Sequence, residues 1–391
     1  MESIVIVGAK RTPIGAMQGK FNNVSASELG ATAIKAAVEQ AGVKPQEVDD
    51  LIFGCVLQAG QGQAPARQAA LKAGLQNTTP ATTVNKMCGS GMKAAMMACD
   101  ELATGNARIV VAGGMESMTN APHLLPKARG GYRYGAQQLL DHMATDGLED
   151  AYQGKPMGFF ADKTAEKYGF TREQMDAYAK ESTQRALNAE KSGAFTDEIA
   201  PVTVKSRAGE EVVKEDETPF TVKLDKIATL RPAFNKDGTV TAATSSSISD
   251  GAAALVMMTE AEAKKRGARP LARIVAYASN AHEPEWFTTA PVGAIQKVLQ
   301  KAGWKAADVD LFEINEAFAV VTMAAMKDIG IPHDKVNVNG GAVALGHPIG
   351  STGARIITTL IYALKKRGMR KGVAALCIGG GEATAVALEV M

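Results

Sequence analysis

Four residues of this chain stand in settings that can carry chemistry: Cys88, His347, Cys377 and Asn315. Cys88 lies in Val84-Asn85-Lys86-Met87-Cys88-Gly89-Ser90-Gly91, a polar, glycine-rich entry to Met92–Leu102. That second stretch is a run of strong helix formers without proline or interior glycine. Cys88 therefore falls at or just before a helix N-terminus, where free N–H groups and the positive end of the helix dipole favour a thiolate. The glycines leave room for a ligand to reach the sulfur, which makes Cys88 a candidate nucleophile. The competing reading is a small buried hydrophobe.

His347, held between Gly346 and Pro348 just ahead of a helix over 354–366, has a rigid backbone and an open approach. Its unperturbed pKa near neutrality suits a general base acting on a thiol. His123, His142, His282 and His333 have no such setting. Cys377 ends an apolar strand before Ile378-Gly379-Gly380-Gly381, a loop able to present N–H groups to a developing oxyanion. A buried structural cysteine is the alternative there, as it is for Cys55 and Cys99. Cys99 reads as lying in one helix with Cys88, on nearly the same inward face. Asn315 follows a strand over 310–314 and precedes a helix; it caps that helix or holds a water, and both readings stay open.

The elements that must position these residues come from a chain of 391 residues, enough for two ordinary domains with buried cores. Hydrophobic residues at 46% and charged residues at 21% are a globular balance that excludes wholesale disorder. A net charge of +2 gives no broad basic field for nucleic acid, so recognition of an anion must be local. No apolar run reaches the length of a membrane span. The ends show neither a signal or transit pattern nor a peroxisomal tripeptide, and four cysteines make no disulfide framework. The expected location is the cytoplasm.

Residues 3–8 read as a buried strand, 11–15 as a turn, 26–42 as an amphipathic helix closed by Gly42, and 48–54 as another strand. A second copy appears late in the chain. Ala33-Ile34 through Gly42-Val43-Lys44 and Glu47-Val48-Asp49 match Ala294-Ile295 through Gly303-Trp304-Lys305 and Asp308-Val309-Asp310. Ile109–Glu116 then corresponds to Ala375–Glu382, each an apolar strand running into a glycine-rich loop. Two elements repeated in the same order suggest a duplicated α/β unit. Residues 118–240, rich in proline, glycine and mixed charge, read as an insertion that supplies ligand-binding loops. The charged run Lys214–Glu217 reads as a solvated face and receives no role.

With these stretches in view, the chain resembles the thiolase family. NKMCGSGMKA, NEAF, NVNGGAVALGHPIGSTGAR and CIGGGEA occur in the family's order, and RTPIG and Asp250-Gly251-Ala252-Ala253 match as well. The resemblance covers essentially the whole chain. It implies a duplicated α-β-α-β-α five-layer sandwich with an inserted loop domain covering coenzyme A. The expected division is 1–117 and 241–270 for the N-terminal half, 118–240 for the insertion and 271–391 for the C-terminal half. The implied reaction is a Claisen condensation of two acetyl-CoA to acetoacetyl-CoA, and its reverse, through an acyl-cysteine.

In that scheme Cys88 takes the acyl group, His347 removes its proton, and Cys377 serves as acid/base at the α-carbon. One oxyanion hole is His347 with a water held by Asn315. The other is the N–H groups of Cys88 and Gly379. The positions matching the family's coenzyme A contacts are Leu148, Met157, Phe234, Ala242, Ser246, Ala317 and Phe318, with Ser246 the best polar contact to the pantetheine. Phe287, in Glu285–Pro291, resembles the branch that uses acetoacetyl-CoA and would favour a short chain. Pro156 stands where that branch commonly has histidine, and Phe220 where some members place an arginine near the adenine nucleotide.

No resident cofactor or metal is implied, although some relatives of the phenylalanine type bind a potassium ion. Lys127–Gly135 resembles a cationic loop used in tetramer assembly, so a homotetramer is expected, with a dimer as the alternative. The competing functions are a broad-range 3-ketoacyl-CoA thiolase of fatty-acid degradation, a β-ketoacyl synthase, and a catalytically silent acyl-CoA-binding relative. A β-ketoacyl synthase pairs its cysteine with two histidines, whereas Cys377 stands in that place here.

Overall fold

The computed structural model describes residues 2–206 and 209–391; Met1, Arg207 and Ala208 lie outside the described residues. The main strands are β1 (Ile4–Arg11), β2 (Asp50–Gly54), β3 (Ala81–Val84), β4 (Ile109–Ser117), β5 (Ser249–Thr259), β6 (Ala272–Ala281), β7 (Leu311–Ile314), β8 (Lys371–Ile378) and β9 (Glu382–Val390). The main helices are α1 (Ala26–Gln40), α2 (Ser90–Thr104), α3 (Met157–Tyr168), α4 (Arg172–Lys191), α5 (Ala290–Ala302), α6 (Ala319–Ile329) and α7 (Thr352–Arg367).

The strands form one ladder in the order β7-β8-β9-β6-β1-β5-β4-β2-β3. β1 and β6 pair antiparallel at its centre through Ile4–Ile6 and Ala272–Ile274. Outward from this seam each wing repeats the other: two antiparallel pairings, then a parallel one. A register shift follows Ile6 in β1 and Ile274 in β6, so even the bulge is duplicated.

Side-chain alternation turns this ladder into five layers. In β4, Val110 and Ala112 face one core while Ile109 and Val111 face another. In β8, Ala374 and Leu376 share the first core, and Val373 and Ala375 face a third. The shared core holds α2 and α7, which lie between the wings; α1 covers the outer face of one wing and α5 that of the other. A helix enclosed on both sides needs an apolar surface nearly all round. Accordingly, every residue of α7 from Thr352 to Leu364 is buried.

The repeat also shows in fine detail. Asp49 accepts the N–H groups of Arg108 and Ile109, and Asp310 those of Arg370 and Lys371. This makes Lys371 the counterpart of Ile109 in the repeat, four residues before the Ala375 that sequence similarity matched to it. Gly113 and Gly114 therefore lie inside β4 rather than in a loop. Sequence similarity favoured the glycine runs, whereas strand pairing is set by hydrogen-bond register. A second correction concerns Cys88. α2 begins at Ser90 with Gly89 as its cap, so Cys88 precedes the helix that contains Cys99.

The charged run is the third correction, because Asp216 is fully buried. Arg11, at the end of β1, meets both Asp216 oxygens at 2.7 and 2.8 Å and also binds Glu198, which accepts from Thr359 of α7. Neighbouring Glu217 accepts the N–H groups of Ala16 and Lys20. These carboxylates fasten the chain at Glu198, Asp216 and Glu217 to the body. Polarity alone marked them as solvated; a buried cation far away in sequence decided otherwise. Arg11→Met leaves two buried carboxylates without their counter-charge, so unfolding in urea should show a loss of about 3–5 kcal/mol.

Candidate active site

The loop carrying Cys88 is a tight turn of unusual backbone. Met87 has φ +46°, a left-handed conformation rare for a residue with a side chain. Ser90 Oγ donates to Met87 O at 2.6 Å and accepts the Lys86 N–H at 2.9 Å, which locks the turn. Lys86 pairs with Glu382, so this turn is also tied to the β8–β9 connection of the other half.

Glycine brings the His347 loop to it. A Cβ on Gly353 would lie 2.3 Å from the Met92 backbone nitrogen, and one on Gly91 would lie 3.0 Å from that of Ala354. The first turns of α2 and α7 therefore approach more closely than any side chain permits. Cys88 stands just before one helix and His347 just before the other.

His347 is 5% exposed. Its Nδ1 lies 2.7 Å from Thr352 Oγ1, which in turn lies 2.9 Å from Pro348 O. The threonine proton goes to the carbonyl, so Thr352 accepts from Nδ1–H and leaves Nε2 with its lone pair. On that side stands Asn315 Nδ2, 3.4 Å away. α6 begins at Ala319 with Phe318 at its cap position, so Asn315 does not cap that helix. The Asn315 Oδ1 atom is buried with no partner among the described residues, the setting of a group that holds an ordered water.

Burial dominates the electrostatics. It lowers the His347 pKa to about 3, with Arg355 adding to the shift, and raises the Cys88 thiol to about 11. The N–H groups of Gly379 and of Cys88 itself pull the thiol back down without overcoming desolvation. This corrects the expectation of a thiolate. The helix end contributes, but the resting pair is neutral thiol and neutral imidazole. Cys377, fully buried, has its thiol raised further by burial and by Cys88 nearby.

These groups converge on one cavity of about 530 Å3. Cys88, His347 and Gly379 lie in its lining with Leu148, Met157, Phe234, Ala242, Ser246, Phe287, Ala317 and Phe318. Cys377 packs directly behind it, in the cluster that contains Met157, Phe234, Phe287, Ala317 and Phe318. Phe318 meets Phe234 and Phe287 edge-on, at centroid distances of 5.8 and 6.3 Å. Ser246 Oγ donates to Ala317 O at 3.0 Å, which leaves its lone pairs for a ligand donor. Pro156 is in the lining too, whereas Phe220 lies on the surface at 53% exposed.

Sequence reasoning passed over Glu316. Its buried carboxylate accepts from Tyr178 and Ser182 of α4, from Asn337 Nδ2 and from the Val343 N–H. It thus joins α4, the Asn315 loop and the approach to His347. The available signal was a pair of glutamates, Glu313 and Glu316, in the largely apolar run Phe312–Val321. Glu116 was missed likewise: it accepts from Val56, Leu57 and Gly350, and burial raises its acid to about 7.

Two family models match the chain, one described as thiolase, N-terminal domain, over residues 4–261 and one as thiolase, C-terminal domain, over 268–390. The chain is similar to the acetyl-CoA acetyltransferase of Rhizobium meliloti, 51% identical over 99% of this chain and 98% of that one. It is 48% identical to that of Schizosaccharomyces pombe over 99% and 98% of the two chains. Among solved structures, the acetyl-CoA acetyltransferase of Bacillus anthracis superposes with a TM-score of 0.97 at 43% identity, over 100% of this chain and 99% of that one.

Proposed function

The chain belongs to the thiolase family, and from that premise we propose that it is an acetyltransferase that joins two acetyl-CoA into acetoacetyl-CoA and cleaves the product by thiolysis. The observation that carries this reading is the meeting of Cys88, His347 and the Gly379 N–H in one apolar cavity that has Phe287 in its wall.

In the first half-reaction, His347 Nε2 takes the Cys88 proton as sulfur attacks the thioester carbonyl of acetyl-CoA. A neutral pair must transfer this proton during attack rather than before it. The tetrahedral oxyanion lies toward the Cys88 and Gly379 N–H groups. Coenzyme A leaves with the proton from His347, and acetyl-Cys88 remains. In the second half, Cys377 removes an α-proton from a second acetyl-CoA as its own thiol proton moves to His347, the two transfers being concerted for the same reason. The enolate oxygen is met by His347 Nε2–H and by the water at Asn315. The carbanion attacks acetyl-Cys88, and the departing Cys88 sulfur recovers the proton from His347. Coenzyme A thioesters enter only as substrates, and the scheme uses no resident cofactor or metal ion.

The same reading makes residues 118–240 the unit that covers coenzyme A, through Leu148, Met157 and Phe234. It places the enzyme in the cytoplasm as a homotetramer assembled through the exposed loop at 127–135, where Tyr134 is fully exposed. No helix among the described residues is long and apolar enough to cross a membrane.

The test is thiolysis by the full chain with coenzyme A, comparing acetoacetyl-CoA, 3-ketohexanoyl-CoA and 3-ketodecanoyl-CoA. Activity concentrated on acetoacetyl-CoA is expected. Comparable rates on all three would move the protein to the broad-range thiolases and show that Phe287 does not limit the chain.

A further inference from the structure

Phe287 is carried on a short 3-10 segment, Pro284–Thr289, not on one of the main strands or helices. Something must hold it if its ring is to limit the acyl chain. The chain leading into the segment is held by the β8–β9 turn, where His282 N–H donates to Gly381 O and a Cβ on Gly381 would meet His282 O at 2.4 Å. The segment itself meets α3, the helix that starts with Met157 in the cavity wall.

The contact with α3 is a pair of hydroxyls. Thr164 Oγ1 and Thr288 Oγ1 are 2.6 Å apart and both residues are fully buried. Thr164 Oγ1 also lies 3.1 Å from Phe160 O and donates there. Thr288 must then donate to Thr164, since each hydroxyl has one proton. Among the described residues no other buried hydrogen bond ties Pro284–Thr289 to α3. The Lys163–Glu285 pair at 3.0 Å is about one-third exposed, and Lys167 stacks over Trp286 at the rim. An exposed ion pair constrains little, whereas a buried, directional bond fixes one geometry.

We propose that the Thr164–Thr288 hydroxyl pair sets the acyl-chain limit of this enzyme by holding Phe287 in the cavity wall. It is a positioning pair, set behind the wall and outside the site itself, and the proposal rests on the reading of Phe287 as the wall. Valine at either position keeps the shape and removes the bond, and T164V also takes away the acceptor of the buried Thr288 hydroxyl. The segment then loosens, and longer 3-ketoacyl chains gain access.

The experiment measures kcat/KM for thiolysis of acetoacetyl-CoA and 3-ketohexanoyl-CoA by the full chain and by T164V, T164S, F287A and F287A/T164V. The expected result is a rise of about tenfold in the hexanoyl-to-acetoacetyl ratio for T164V, the scale of selectivity that pocket shape provides. T164S should return the ratio to that of the parent. F287A should raise it at least as far, and F287A/T164V no further than F287A alone. Should T164V not fold, T288V keeps the Thr164–Phe160 bond and reads the same ratio. Equal loss on both substrates with an unchanged ratio would overturn the proposal, as would effects of T164V and F287A that multiply. An unchanged ratio in F287A itself would instead overturn the reading of Phe287 beneath it.

Discussion

Cys88→Ala removes the proposed acyl acceptor, and both thiolysis and condensation are expected to fall by about four to six orders of magnitude. The substitution leaves the fold alone. Cys88 precedes α2 and is only partly buried, and the turn is locked by the Ser90 hydroxyl rather than by the thiol. Mass spectrometry after incubation with acetyl-CoA should show one acetyl group on the parent chain and none on the variant. Retained acetylation in Cys88→Ala would move the nucleophile elsewhere. Cys377 is the neighbouring thiol, but complete burial and a thiol raised well above its ordinary range make it a poor first nucleophile.

His347→Ala tests the base, with an expected loss of about 100- to 10,000-fold in acylation, read as the burst of released coenzyme A. The pH profile distinguishes the roles. With His347 lowered to about 3 and Cys88 raised to about 11, the reactive neutral pair is the dominant form between those values. Acylation by the parent enzyme should therefore be flat from pH 5 to 9. An acid limb near pH 6.5 would show that the imidazole titrates as if in water.

Stability carries the same signature. The unfolded chain binds a proton at His347 as pH falls through 6.5, while the folded chain refuses it until about pH 3. Stability drawn from this group is therefore complete above pH 6.5 and declines as pH falls through that window. His347→Ala should remove that part of the slope, as seen in urea midpoints between pH 7 and 4.

Much of this site was legible before any coordinates. Cys88, His347 and Cys377 stood out because each sits where glycine or proline interrupts a periodic run, a local signal. The duplication was legible too, in a helix and a strand repeated in the same order, whereas the five layers were implied by the resemblance to the family. Other features needed distant partners. Asp216 looks like part of a solvated run until Arg11, some two hundred residues earlier, is placed beside it. Glu316 shows nothing of its four donors in the tetrad around it. Thr164 and Thr288 are ordinary residues apart, and only the fold brings their hydroxyls within 2.6 Å beside the segment that carries Phe287.

The protonation state of the nucleophile shows the division most plainly. By itself the sequence determined which groups are candidates for the chemistry, because a thiol, an imidazole and a glycine loop are recognisable by type and neighbours. It also determined that a helix end lies beside Cys88. Whether that end produces a thiolate depended on the desolvation opposing it, and desolvation is a property of everything packed around a group. The close passage of α2 and α7 at Gly91 and Gly353 buries His347 and draws Cys88 into the same cavity. In that setting the loss of water outweighs the local N–H groups, so tertiary structure decided that the resting pair is neutral.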